Sequence, residues 1–262
     1  SFCMLSYNHF KNRGDIMSFE RFWNHELNQE LAMQPFTWQH AVLIVLGILS
    51  VVLTLKFAQN IKNSRYENRI KKIFAFWLLF LEITYHLHYW TYGMFSVPLH
   101  VCSFGVMFSI AILLTDSKKA FEFLFFIGIF GGLSALFIPN SLGYTYYNMR
   151  YYHYILLHMS IAIVPIYYYE AYNYRISLKS IYKTMGLIVV LLPLVTYVNI
   201  TYNKNYMFIG DKPQILANVL PDWPYYLIIF VITIFITFHG LYFFSNYGIV
   251  PLYKKLRYRS AV

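Results

Sequence analysis

Apolar residues gather along the chain in long blocks separated by short polar stretches. A helix needs roughly twenty apolar residues to cross the ~30 Å of bilayer hydrocarbon. The blocks therefore predict seven helices, at 39–58, 73–92, 97–115, 120–138, 151–171, 181–200 and 223–246. "KNSRYENRIKK" (62–72) divides the first two, "TDSKK" (115–119) the third and fourth, and "RISLKSIYK" (175–183) the fifth and sixth. Pro98 stands where the third helix is expected to begin, a residue type favoured at the first helical position. There is no internal repeat or low-complexity linker, so the expectation is one all-α polytopic membrane domain over 17–262.

Composition agrees with this pattern. Of 262 residues, 58% are hydrophobic, 21% aromatic and only 12% charged, against about a quarter charged in soluble domains. The charges are unevenly placed. The first, third and fifth connections, Lys56 and the tail "YKKLRYRSAV" hold fifteen Lys and Arg. From Met17 onward the opposite side holds Arg21, Arg150, Lys204 and Lys212. Cytoplasmic loops carry the Lys and Arg excess, so the expected topology has the N-terminus outside and the C-terminus inside. The net charge of +10 reflects this asymmetry and anionic lipid headgroups, which removes the case for a nucleic-acid partner.

The first residues read as a leader called too early. Arg13-Gly14-Asp15 precedes Met17, and those three codons can spell a bacterial ribosome-binding site. Met17 is then the expected start, residues 1–16 are untranslated, and Cys3 and His9 drop out. The stretch before residue 38 lacks the pattern of a cleavable signal peptide. Cys102 is left as the single cysteine, which excludes an intramolecular disulfide.

The topology gathers chemistry at one level. Helix two ends outside with "EITYHLHYW" (82–90), helix three starts there with His100 and Cys102, and helix five with "YYHYILLHMS" (151–160). His86, His88, His100, His153 and His158 thus share an outer slice. Ionisable groups inside a membrane are costly and point to function, although a histidine near an interface also serves as a plain inter-helix hydrogen bond or snorkels to water. A helix N-terminus favours a thiolate, so Cys102 is a candidate nucleophile or else a small packing residue. A nucleophile needs a base in reach. His100, two residues away, points to another side of the helix, whereas His158 lies at a similar depth on helix five. Glu82 and His86, four apart, share a face, either orienting an imidazole or forming a structural bond. His86, His88 and His100 make a poor metal set because spacings of two spread the ligands, so no metal is expected. The loop 203–227, turned at Gly210-Asp211-Lys212-Pro213, is a lid or a connector. Gly128, Gly131 and Gly132 suit close helix packing.

"PLHVCS" (98–103), "NYMFIGDKP" (205–213) and "DWPYYL" (222–227), in this order, resemble the YwaF-like family of bacterial integral membrane proteins. The similarity runs from about residue 20 to the end. It includes the glycine-rich fourth helix leading into Pro139-Asn140 and the histidine of helix five. That family is similar to the eukaryotic transmembrane ether-phospholipid acyltransferases. The resemblance implies Cys102 as the acyl-accepting nucleophile and His158 as its partner, with "LLHMS" standing where many relatives have His-Gly. His100, Glu82, His86, His153 and Asn140 are the expected supporting or substrate-binding residues.

The expected function is a lipid acyltransferase in the bacterial cell membrane. An acyl group passes from a phospholipid through a Cys102 thioester to a lysolipid or lipoprotein acceptor at the outer leaflet, with no soluble cofactor. The alternatives are a small-molecule transporter or channel and a non-catalytic subunit of a membrane complex. Transport is disfavoured by the absence of paired midplane carboxylates, since Glu82, Glu122 and Glu170 sit on three helices, and of matched broken helices.

Overall fold

The computed structural model describes residues 19–28, 30–139 and 143–248. The expected start at Met17, Asn140 and the basic tail lie outside the described residues. Among those described, every regular element is a helix: α1 (Phe19–Trp23), α2 (Trp38–Lys62), α3 (Glu67–Thr91), α4 (Val101–Thr115), α5 (Lys118–Phe137), α6 (Met149–Ala171), α7 (Leu178–Tyr202) and α8 (Tyr225–Tyr247), with 3-10 turns at Tyr206–Phe208 and Gln214–Leu216. All seven predicted segments are helical. Only α1, too short to carry a periodic signal, was not anticipated.

Local chemistry sets the boundaries. The Thr37 and Ser117 hydroxyls accept from the His40 and Ala120 amides and cap α2 and α5. Ser177 and Ser180 form a reciprocal capping box at α7, satisfying amides that have no intrahelical partner. Asp116 and Asn203 end α4 and α7 in the left-handed conformation.

The third helix starts later than its apolar run predicts. Pro98 is not its first residue; α4 begins at Val101, with His100 at the N-cap. A residue before proline is pushed out of the helical region, and the backbone of the preceding segment is satisfied from elsewhere. The Ser96 carbonyl accepts from Trp90 Nε1 (3.0 Å) and the Val97 amide donates to the Tyr206 hydroxyl (3.0 Å). At 15 residues and about 1.5 Å per residue, α4 is shorter than the ~30 Å hydrocarbon. Cys102 therefore sits in its first turn.

Successive helices run in opposite directions. One end of the bundle, the lysine end, brings together the start of α3 and the ends of α4 and α6 through Lys71, Asp116 and Tyr172. At the other, the histidine end, His40 at the start of α2 bonds the Leu136 carbonyl at the end of α5 (2.7 Å). Four helices, α2, α5, α7 and α8, are long and apolar enough to cross a membrane. Three of them are mostly exposed on the outside of the bundle, with 17%, 22% and 6% of the apolar window of α2, α7 and α8 buried. The polar-rich α6 lies inside: it buries thirteen residues, among them Arg150, His153 and Ser160, against α2, α3, α4 and α5. Apolar outside and polar within is the arrangement a lipid solvent favours.

Candidate functional site

The geometry of the histidine end is set by the pairing of α4 with α6, two parallel helices. Gly105 is buried against Ile161, whose Cδ1 would come within 3.3 Å of a Cβ added there. Farther along, the Tyr168 hydroxyl donates to the Ile112 carbonyl (2.8 Å). Both pairs differ by 56 in number, so the helices run in constant register. The same offset matches Cys102 to His158 and places them at one level, each three residues before a contact and hence on the same helix face.

Cys102 is half-buried against the core, and no hydrogen bond joins its thiol to His158. His158 Nδ1 faces the Tyr154 carbonyl at 2.7 Å. A carbonyl only accepts, so Nδ1 carries the proton and Nε2 keeps its lone pair, free to take another. A base oriented by a third group is the usual partner of a nucleophile. Open catalytic hydrogen bonds are common without substrate. Glu82 and Arg150 lie within electrostatic range of Cys102.

The remaining expected residues sort by what their polar atoms touch. Glu82 and His86 meet on α3, Oε1 to Nε2 at 3.2 Å, and His86 Nδ1 reaches the Ser96 hydroxyl at 2.8 Å. Carboxylate, imidazole and buried hydroxyl thus form one chain. The His100 ring packs edge-on to Tyr206 (4.9 Å) and near Phe208 (6.2 Å), beneath the loop that follows α7. His153 has both nitrogens engaged: Nε2 with the Leu81 carbonyl at 2.9 Å and Nδ1 with Arg150 Nη1 at 2.9 Å. It ties α6 to α3. His88 faces away from His86, toward the Asn24 carbonyl (3.2 Å) and the rings of Trp23, His25 and Tyr144. Among the described residues no group of three His, Cys, Asp or Glu side chains converges as metal ligands.

Two members of the site escaped the sequence reading. Arg150 was counted only as a loop charge, yet it is buried at the start of α6, with its guanidinium 4.0 Å from the Tyr85 ring centre. Its spacing of three from His153 on one helix was the available signal. His25 joins the layer from the segment after α1 and bonds the Tyr144 hydroxyl. Burial and the nearby Arg150 charge hold its imidazole below the ordinary histidine value.

Behind the candidate pair, α5 approaches α6 with almost no space between. A Cβ on Gly132 would lie 2.5 Å from Ala162 Cβ and 3.0 Å from the His158 carbonyl oxygen, and one on Gly128 would lie 2.6 Å from the Ile161 carbonyl oxygen. Gly131, by contrast, meets only Ile161 Cδ1 at an ordinary 3.6 Å. Proline at 165 has no amide to bond the Ile161 carbonyl one turn back, so that oxygen is turned toward Gly128 instead.

A bundle whose described residues are all helical in their regular elements, with apolar helices outside and a polar, histidine-rich interior at one end, defines an integral membrane protein. The chain belongs to the TMEM164 family, a membrane protein family, which matches residues 35–242. That match runs from just before α2 into α8 and contains Cys102, His158, Arg150 and the glycines of α5. No curated protein and no solved structure matches the chain.

Proposed function

We propose that the protein is a seven-span acyltransferase of the bacterial cell membrane, N-terminus outside, acting at the outer leaflet through Cys102 and His158. The observation that supports it most is the constant offset of 56 between α4 and α6. It sets the thiol level with an imidazole whose Nδ1 is committed to the Tyr154 carbonyl and whose Nε2 is open.

His158 Nε2 takes the thiol proton as Cys102 Sγ attacks the ester carbonyl carbon of a phospholipid. The carbon–oxygen bond to glycerol breaks, the leaving oxygen takes the proton back from His158, and a lysolipid departs from the thioester. In the second half an acceptor hydroxyl or amine, on a lysolipid or lipoprotein, gives its proton to His158 and attacks the thioester carbon. The carbon–sulfur bond then breaks and the returning proton restores the thiol. Covalent relay replaces one hard transfer by two easier ones. The start of α4 adds the positive end of a helix beside the sulfur. In this reading the chain of Glu82, His86 and Ser96 supports the pocket wall.

Intact-protein mass spectrometry of gently purified protein tests the reading. The expected result is a hydroxylamine-labile acyl mass on Cys102 that is absent from Cys102→Ser. Cys102→Ser and His158→Ala should each abolish transfer between lipids, and the double variant should be little worse than either, because residues acting as a unit are non-additive. An active Cys102→Ala variant would end the covalent mechanism.

A further inference from the structure

Arg150 presents a problem that acyl transfer does not solve. A guanidinium is always charged and has five donors. This one is 6% exposed, and among the described residues no carboxylate pairs with it. Nη1 donates to His153 Nδ1 at 2.9 Å. The group lies 4.0, 5.3 and 5.5 Å from the ring centres of Tyr85, Tyr89 and Tyr144, and the Tyr144 hydroxyl is a second hydrogen-bond partner of the guanidinium. Nε is buried without any partner. Buried charges are otherwise paired, and ring faces attract a cation without accepting its hydrogen bonds in full.

The helix end that carries it lacks a counter-charge as well. Arg150 is the second residue of α6, a 23-residue helix with no acidic side chain in its first turn. Its N-cap residue, Asn148, does not cap it. The Asn148 Oδ1 accepts from the Thr145 amide (2.8 Å) and hydroxyl (3.0 Å), and its Nδ2 donates to Asn24 Oδ1 (2.6 Å). The positive end of α6 and a buried guanidinium with one unmet donor thus stand together at the start of one helix, the two features anion sites combine.

A second unmet atom narrows the ligand. His88 is fully buried; its Nε2 is committed to the Asn24 carbonyl, and Nδ1 has no partner. With Nε2 protonated, Nδ1 is an acceptor and needs a hydroxyl. The His88 ring lies 5.9 Å from both Tyr89 and Tyr144, the rings that also border Arg150. The unmet donor and the unmet acceptor thus flank the same pair of tyrosines.

We propose that this cluster binds the phosphodiester of a membrane phospholipid headgroup, the phosphate oxygens on Arg150 and the first turn of α6, and a headgroup hydroxyl on His88 Nδ1. The site rests on the outward placement of the histidine end proposed above and is independent of thioester chemistry. Tyr85, Tyr89 and Tyr144 form the aromatic surround found where headgroups meet hydrocarbon.

The test is thermal unfolding of the full-length protein in neutral maltoside micelles. It is titrated separately with dioctanoyl-phosphatidylglycerol, dioctanoylglycerol and inorganic phosphate. The phosphatidylglycerol should raise the Tm saturably and the phosphate-free dioctanoylglycerol should not. A rise with inorganic phosphate alone, equal in size, would assign the site to free phosphate rather than to lipid. Arg150→Gln should weaken the apparent affinity by at least about tenfold, the loss of one charge-assisted contact. Arg150→Lys keeps the charge without the planar fork and should weaken it less, which serves if the glutamine variant does not fold. Cys102→Ser should bind as the wild type does, so failure of the acyl relay and failure of this site read separately. An equal response to dioctanoylglycerol, no response to either phosphate-bearing compound, or undiminished binding in Arg150→Gln would overturn the proposal.

Discussion

Two neighbouring glycines of α5 give opposite expectations. Gly132→Ala puts a methyl carbon 2.5 Å from Ala162 Cβ and 3.0 Å from the His158 carbonyl. Neither neighbour is a flexible side-chain end, so the helices must part and His158 must move with α6. Gly131→Ala meets a single ordinary contact at 3.6 Å and removes a poor helix former. The expected outcome is a lower Tm for Gly132→Ala, with loss of the acyl transfer proposed above, and an unchanged or slightly higher Tm for Gly131→Ala, with that proposed activity retained. Paired melting and lipid-exchange assays check this. The sequence could place all three glycines on one helix, but which of them meets backbone depends on how α5 is rotated against α6.

Elements are tied at the lysine end by one polar cluster. Lys71 of α3, 4% exposed, lies 2.8 and 2.9 Å from the two oxygens of Asp116 and 2.9 Å from the Tyr172 hydroxyl. Tyr168 donates to the same carboxylate (2.7 Å), and Tyr174 to the Asp116 carbonyl (2.7 Å). Burial alone would raise the Asp116 carboxyl, but the Lys71 ammonium and the Tyr168 phenol outweigh it and hold it below its ordinary 3.8. A carboxyl lowered on folding stabilises the protein fully above its unfolded value and ceases to as pH falls through the folded one. The wild-type Tm should therefore drop as pH falls below about 4, and Asp116→Asn should lack that part of the pH dependence. At neutral pH the substitution should cost roughly 1–3 kcal/mol, since it leaves a buried ammonium with fewer partners. Melting curves across pH for both proteins test this. "TDSKK" announced a break between helices, and Asp116 there ends α4. Nothing in its spacing announced that it would meet a lysine 45 residues earlier.

At the scale of the whole molecule, the charge asymmetry and the alternating helix directions make one expectation together. Reporter fusions after residues 67 and 178 should read cytoplasmic and a fusion after residue 208 external; the inverse pattern would move the candidate site to the inner leaflet. The positions and approximate limits of the seven longer helices were legible in their apolar runs, although only four of them are long and apolar enough to cross a membrane. Their order from outside to inside was not, since lipid and protein core reward the same apolar side chains. The departures from pure hydrophobicity, the tyrosines and histidines of α6 and His86 and His88 on α3, now read as marks of an interior helix and of the inward face of its neighbour. The level of Cys102 and His158 was estimated from counting residues. That α4 starts at Val101 rather than at Pro98 was hidden, because the segment before it is held by the side chains of Trp90 and Tyr206 rather than by its own sequence.

Pro165 has a consequence for motion. The carbonyl it strands on Ile161 is covered by Gly128 of the neighbouring helix. Sliding α5 along α6 by even part of a turn would drag that oxygen past bulkier residues or bare it to hydrocarbon, where an unmet carbonyl is costly. These two helices should therefore travel as one rigid plank whenever the interior opens. In the proposed reading a lipid has to part other seams, and α7 and α8, which touch the rest of the bundle least, are the walls it would part.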